Sequence, residues 1–137
     1  MATFVKFHQF VEDLGNGVHN LDSDSIKVYL TNAAPNAATH AVKADIAEIS
    51  TGNGYTGPIS LNATYSQTSG TGNLVLEDKT ITATGNVAEF QYAVVFNNTP
   101  TSPADPLIGY VAYPTPVNMT NGETFNLDFA SPSATVV

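Results

Sequence analysis

The chain has 137 residues, no cysteine and a formal net charge of −8, with twelve Asp and Glu against four Lys (Lys6, Lys27, Lys43, Lys79) and no Arg. Lack of thiols excludes a disulfide framework and thiolate metal sites, and a chain of this length buries enough surface to fold without either. Phosphate recognition needs Arg forks or Lys clusters, so the charge balance argues against DNA, RNA and anionic membranes as partners.

No apolar run approaches the ~18 residues that suggest a membrane span. The opening Met1-Ala2-Thr3-Phe4-Val5-Lys6 lacks the basic start and apolar core of an export signal, so synthesis in a cytoplasm without general secretion is the expectation. One domain over residues 1–137 is expected. Only 12% of residues are charged. Asn, Thr, Ser and Gly fill the polar positions, and such a surface costs little to desolvate against a partner.

In chain order, residues 4–14 are the one good helix candidate. Phe4, Phe7, Val11 and Leu14 recur at helical spacing, Phe10 stands beside them, Thr3 is placed to cap the start, and Gly15-Asn16-Gly17 ends the run. The plain reading packs these side chains on the rest of the domain. A sharper one makes residues 1–4 an arm reaching a neighbour, with Phe10 needing a second contact. Asp22-Ser23-Asp24-Ser25 then turns into the strand Ile26-Lys27-Val28-Tyr29-Leu30-Thr31. Residues 32–39 read as a loop around Pro35. Residues 41–49 place Val42, Ile46 and Ile49 on one helical face, which favours a short helix over a strand.

Gly52-Asn53-Gly54-Tyr55-Thr56-Gly57 reverses the chain, because glycine takes positive φ freely and Asn tolerates it. The reversal aims the Tyr55 ring at whatever lies beneath. From Pro58 onward the period is two. Ile59, Leu61, Ala63 and Tyr65 alternate with polar neighbours up to a turn at Gly70-Thr71-Gly72-Asn73. Leu74-Val75-Leu76 and Thr80-Ile81-Thr82-Ala83 look like a hairpin. After Gly85-Asn86 comes the strongest strand, with Phe90, Tyr92, Val94 and Phe96 on one side. Leu107 to Tyr113 and Glu123 to Phe129 complete the strands, and Pro114 and Pro116 mark an edge. Six to eight short strands predict an all-β chain: an antiparallel β-sandwich or jelly-roll-like domain with a short N-terminal helix or arm over residues 1–15.

Chemistry-bearing patterns are weak. His8, His19 and His40 have no metal-ligand spacing and read as exposed or capping residues. Asp22-x-Asp24 lacks the rest of a calcium loop, with Ala33 where the bidentate Glu belongs. No Gly-x-Ser-x-Gly elbow occurs, and Gly52-x-Gly54 lacks the Lys of a phosphate loop and leads into strands. The expectation is no enzyme, no cofactor and no metal. Lack of Trp and of a positioned acid–base pair disfavours a carbohydrate-binding module or a small hydrolase. The candidate contact residues are Phe4, Phe7, Phe10, Tyr55, Tyr110 and Tyr113, the last two as rims open to a neighbouring subunit.

Asp45-Ile46-Ala47-Glu48-Ile49 running into Gly52-Asn53-Gly54-Tyr55-Thr56 resembles a family of small structural proteins of tailed bacteriophages. The similarity takes in Phe4-Val5-Lys6-Phe7, Lys27 to Asn32 with Pro35, Phe90 to Asn97, Pro106 to Tyr110 and Asn121-Gly122-Glu123-Thr124-Phe125. Gly57-Pro58 departs from relatives that continue with small residues. The resemblance implies a virion component with no active site. The expected role is a capsid decoration (cement) protein on the outer surface of the head, where an acidic, Arg-free domain avoids packaged DNA. Its partners would be the major capsid protein and copies of itself, trimers on the shell being part of what the family implies. A tail or head–tail connector subunit is the alternative.

Overall fold

Alternating apolar and polar residues build antiparallel strands through most of the chain, and the all-β expectation with one short helix holds. The computed structural model describes residues 4–129 and, as backbone, 134–136. The main sheet has five strands in the order β1 (Phe4–Lys6), β8 (Leu107–Val117), β7 (Phe90–Asn97), β2 (Ile26–Thr31) and β3 (Ile59–Leu61). A three-stranded sheet runs β10 (Ala134–Val136), β5 (Thr71–Leu76), β4 (Ala63–Thr68), and β6 (Lys79–Thr82) pairs with β9 (Thr124–Leu127) as a separate ribbon. Helix α1 (His8–Gly15) follows β1.

The register separates the two faces of the main sheet. Tyr29, Val94 and Tyr110 align across β2, β7 and β8 on one face, and Leu30, Ala93, Val111 and Phe4 align on the other. Phe7, just ahead of α1, packs its ring on Tyr110 at 5.4 Å, so the first face lies under the helix. On the second face Phe4 meets Phe129 at 6.4 Å, and Phe90 and Tyr113 both pack edge-on against Phe125 of β9. All sheets share one apolar core. Covered on both sides, β2 buries five of its six residues, Lys27 being the exception, where alternation alone predicts a half-buried strand.

Five expectations are corrected. Residues 4–6 are strand, not helix: Phe4, Val5 and Lys6 pair with Val111, Tyr110 and Gly109. Helix α1 starts only at His8, with Phe7 as its cap residue, and Thr3 lies outside the described residues. The helix buries Phe10 and Asp13, while Val11, expected inside, is 40% exposed. Residues 41–49 contain only a 3-10 turn at Lys43–Asp45. β5 and β6 do not form a hairpin, because β5 pairs with β4 and β10 and β6 pairs with β9. The alternating run from Ile59 to Tyr65 is two strands in different sheets. It breaks at Asn62, whose backbone N–H and side-chain amide both donate to the Glu77 carboxylate, at 2.7 and 3.1 Å.

Pro114 and Pro116 do mark an edge. They lie in β8 beyond Val111, the last residue that pairs with β1 among the described residues. The hairpin turn between β4 and β5 is Ser69-Gly70, both at positive φ (51° and 81°), one step ahead of the expected turn.

Phe4 sits in the sheet, not in an arm. A Cβ on Gly109 would collide with its ring, so glycine at 109 makes the space that Phe4 fills. Phe4→Ala is expected to lower the unfolding free energy by about 2 kcal/mol for a half-buried ring, measured by urea denaturation. Unchanged stability would return Phe4 to the arm reading.

Candidate functional site

Residues 42–57 form a strap around the edge of β2. β3 pairs with β2 only at Ile26, Lys27 and Val28, which leaves the backbone of Leu30 without a strand partner on that side. The strap supplies one. Ile49 N–H donates to the Leu30 carbonyl at 3.0 Å, and Leu30 N–H donates to the Tyr55 hydroxyl at 3.1 Å. A phenol oxygen thus stands where the carbonyl of a neighbouring strand would be. Unpaired backbone groups buried in the domain cost free energy, and this arrangement satisfies both.

The strap begins above the helix-side face. Asp45 accepts the N–H groups of Ala41 and Val42 at 2.8 and 3.1 Å, which closes one tight turn and holds its carboxyl below the usual carboxylate range. Ile46 then takes an extended φ of −128°, so no helix propagates. The Tyr29 hydroxyl donates to the Ile46 carbonyl at 3.1 Å. Lys43 lies 4.7 Å from the centre of the Tyr29 ring and pairs with Glu48 at 3.1 Å. The other oxygen of Glu48 accepts the Tyr55 hydroxyl at 2.6 Å. Burial pushes the Tyr55 and Tyr29 phenols well up, and the neighbouring Glu48 carboxylate adds to both. Both therefore keep their protons at neutral pH and act as donors.

Just ahead of Tyr55 the strap reaches the β6–β9 ribbon. Gly52 and Tyr55 close a two-way backbone bridge at 2.7 and 3.2 Å, with Asn53 at φ 57° and Gly54 at φ 105° on its tip. The tip docks on the turn after β6. Thr84 N–H donates to the Asn53 carbonyl at 2.9 Å, and the Asn53 side chain donates to the Asn86 carbonyl at 2.8 Å. Gly54 lies so close to the Thr82 carbonyl that a Cβ there would overlap it. The strap therefore ties β2, the covered face and the β6–β9 ribbon together.

A second polar cluster lies at the far end of β2. His19, expected exposed or capping, is only 7% exposed. The Asn97 side-chain amide donates to His19 Nδ1 at 3.0 Å and to Asp24 at 2.8 Å, and Asn97 Oδ1 accepts the Thr99 N–H at 3.0 Å. The imidazole packs edge-on against Phe10 with centroids 5.1 Å apart, which is the second contact Phe10 needs. Asp24 also accepts the Asn20 N–H at 2.9 Å, in keeping with a turn ahead of the strand. Among the described residues, no three His, Cys, Asp or Glu side chains converge on a metal position.

The candidate contact residues do not come together. Phe7, Phe10 and Tyr55 are 0% exposed within this chain and leave no surface for a partner. Phe4, Tyr110 and Tyr113 are half-buried and pack against the core. The residues that do converge with Tyr55, namely Tyr29, Lys43 and Glu48, stand out by no spacing in the sequence. A 26-residue gap hides that Tyr29 and Tyr55 lie near one carboxylate, Glu48, which accepts the Tyr55 hydroxyl and bears on Tyr29 through its charge. Among the described residues Val11 is the exposed large apolar side chain, and Tyr92, Tyr110 and Tyr113 on the strands are half-buried. No helix of the described residues is long and apolar enough to cross a membrane. Comparisons with protein-family models, curated proteins and solved structures gave no match to this chain.

Proposed function

We propose that this chain is a structural protein of a tailed-bacteriophage particle, bound as a decoration protein to the major capsid protein on the outside of the head. The observation that carries the reading is the role of Gly52-Asn53-Gly54-Tyr55, the centre of the family resemblance. Those residues hold sheets together: Tyr55 completes the edge of β2, and Gly54 and Asn53 dock on the turn after β6. Residues that build a frame suit a family defined by its scaffold. The surface chemistry supports the same reading. Twelve acidic residues, four lysines and no arginine favour a position away from packaged DNA. A sparsely charged Thr/Ser/Asn surface docks with little desolvation cost. Many equivalent contacts, each weak, stabilise an assembled shell by mass action when copies bind the assembled state preferentially.

Purified heads carrying and lacking the protein would be heated and their DNA release followed. Heads without it are expected to release DNA at a lower temperature, and adding the recombinant chain back should restore the difference. Equal release curves overturn the stabilising role, and a particle map placing the protein in the tail overturns the head position. Contacts between neighbouring copies around local three-fold positions are expected in that map, since closed symmetry satisfies repeated patches without filament growth. Isolated copies would remove the trimer.

A further inference from the structure

We propose that His19, Asn97 and Asp24 form a proton-operated latch, closed while the imidazole is neutral, that ties the connection between α1 and β2 to the end of β7 and releases it on protonation. The geometry sets the protonation state. Asn97 Oδ1 accepts the Thr99 N–H, so the amide NH2 is the side turned toward His19 and Asp24, and it donates to both. His19 Nδ1 is then an acceptor and carries no hydrogen. The ring proton sits on Nε2, which is buried and has no hydrogen-bond partner.

A second proton has one place to go. On Nδ1 it would face the Asn97 NH2, donor against donor. Turning the amide over would satisfy His19 but would take the acceptor from Thr99 and the donor from Asp24. Protonation therefore breaks at least one link whichever way Asn97 responds.

The links hold a defined part of the chain. Val18 N–H is bonded to the Asp13 carbonyl of α1, and Asn98 N–H to the Ser25 carbonyl, at 2.9 and 2.8 Å. Opening between them frees the 16–25 connection and removes the ring against which Phe10 packs.

The charged groups bearing on His19 are Asp13 from α1 and Asp24 from the turn ahead of β2. Both favour the proton, but burial outweighs them and pushes the imidazole below the ordinary histidine value of 6.5. The sign follows from linkage. A histidine lowered in the folded state stabilises the fold fully above 6.5, and that contribution is lost as pH falls below it.

The test uses the full chain between pH 7.5 and pH 5.5. Imidazole nitrogen spectra at the upper pH are expected to show His19 as the Nε2–H tautomer. Amide exchange in residues 8–25 and 98–99, corrected for its intrinsic pH dependence, should rise by roughly tenfold for each pH unit below 6.5 until His19 itself titrates. Amides of β7 and β8 inside the sheet should keep their protection. His19→Gln should flatten the response, and a double His8→Gln, His40→Gln variant should retain it. If His19→Gln does not fold, the wild-type tautomer and the pH-resolved exchange decide. An Nδ1–H tautomer, exchange that is flat across the range, or an acid response persisting in His19→Gln overturns the latch.

Discussion

Tyr55→Ala is expected to lower the unfolding free energy by about 4 kcal/mol, near the upper range for a fully buried aromatic ring. The ring is 0% exposed, and its hydroxyl is the acceptor for Leu30 N–H and a donor to Glu48. Tyr55→Phe separates the two contributions. It keeps the packing, leaves the Leu30 N–H without its acceptor, and should cost about 2 kcal/mol. Glu48→Gln keeps an acceptor for the phenol and should cost less than either. Urea denaturation of the three variants is the measurement. If Tyr55→Phe is as stable as the parent, the hydroxyl does not complete the β2 edge and the strap is held by packing alone.

Gly54→Ala should be nearly as damaging, at about 3 kcal/mol, which at this chain length is a fall in Tm of roughly 10 °C. Two independent penalties meet there. The φ of 105° is strained for any residue with a Cβ, and that Cβ would overlap the Thr82 carbonyl, which is backbone and cannot swing aside. Gly52→Ala is the internal comparison. Its φ of 127° carries the first penalty, but no atom lies within 4 Å of its Cβ position, so its loss should be clearly smaller. Equal melting of the two variants would mean that close docking on the β6 turn contributes nothing.

Local chemistry made part of this legible. Ile26 to Thr31 alternates between clear turn signals, and the strand falls on those residues. The Gly52-Asn53-Gly54 reversal is readable because few other residues take those φ values. The failures come from partners far away in the chain. Phe4, Phe7 and Val11 have helical spacing, yet Phe4 is drawn into the sheet by a place beside Gly109 that no nearby residue announces. Val42, Ile46 and Ile49 suggest a helix equally well. There the Asp45 carboxylate closes one turn on Ala41 and Val42, and Ile49 gives its N–H to Leu30 instead of to its own helix. Burial of His19 follows from Asn97, 78 residues on, and no spacing rule connects them.

The pairing pattern has a consequence for how the chain reaches this structure. β1 waits for β8, β2 for β7, and β6 for β9, while the β4–β5 hairpin, joined through Ser69-Gly70, and the consecutive strands β7 and β8 pair from neighbouring sequence. Loop-closure entropy must be overcome before the long-range pairs return any stability, which places folding among the slow, all-or-none topologies, on the order of milliseconds to seconds. During synthesis β1 and β2 leave the ribosome long before β8 and β7, their respective partners, exist to receive them. The nascent chain therefore carries Phe4, Phe7 and Phe10 unsheltered until nearly the whole sheet has been made.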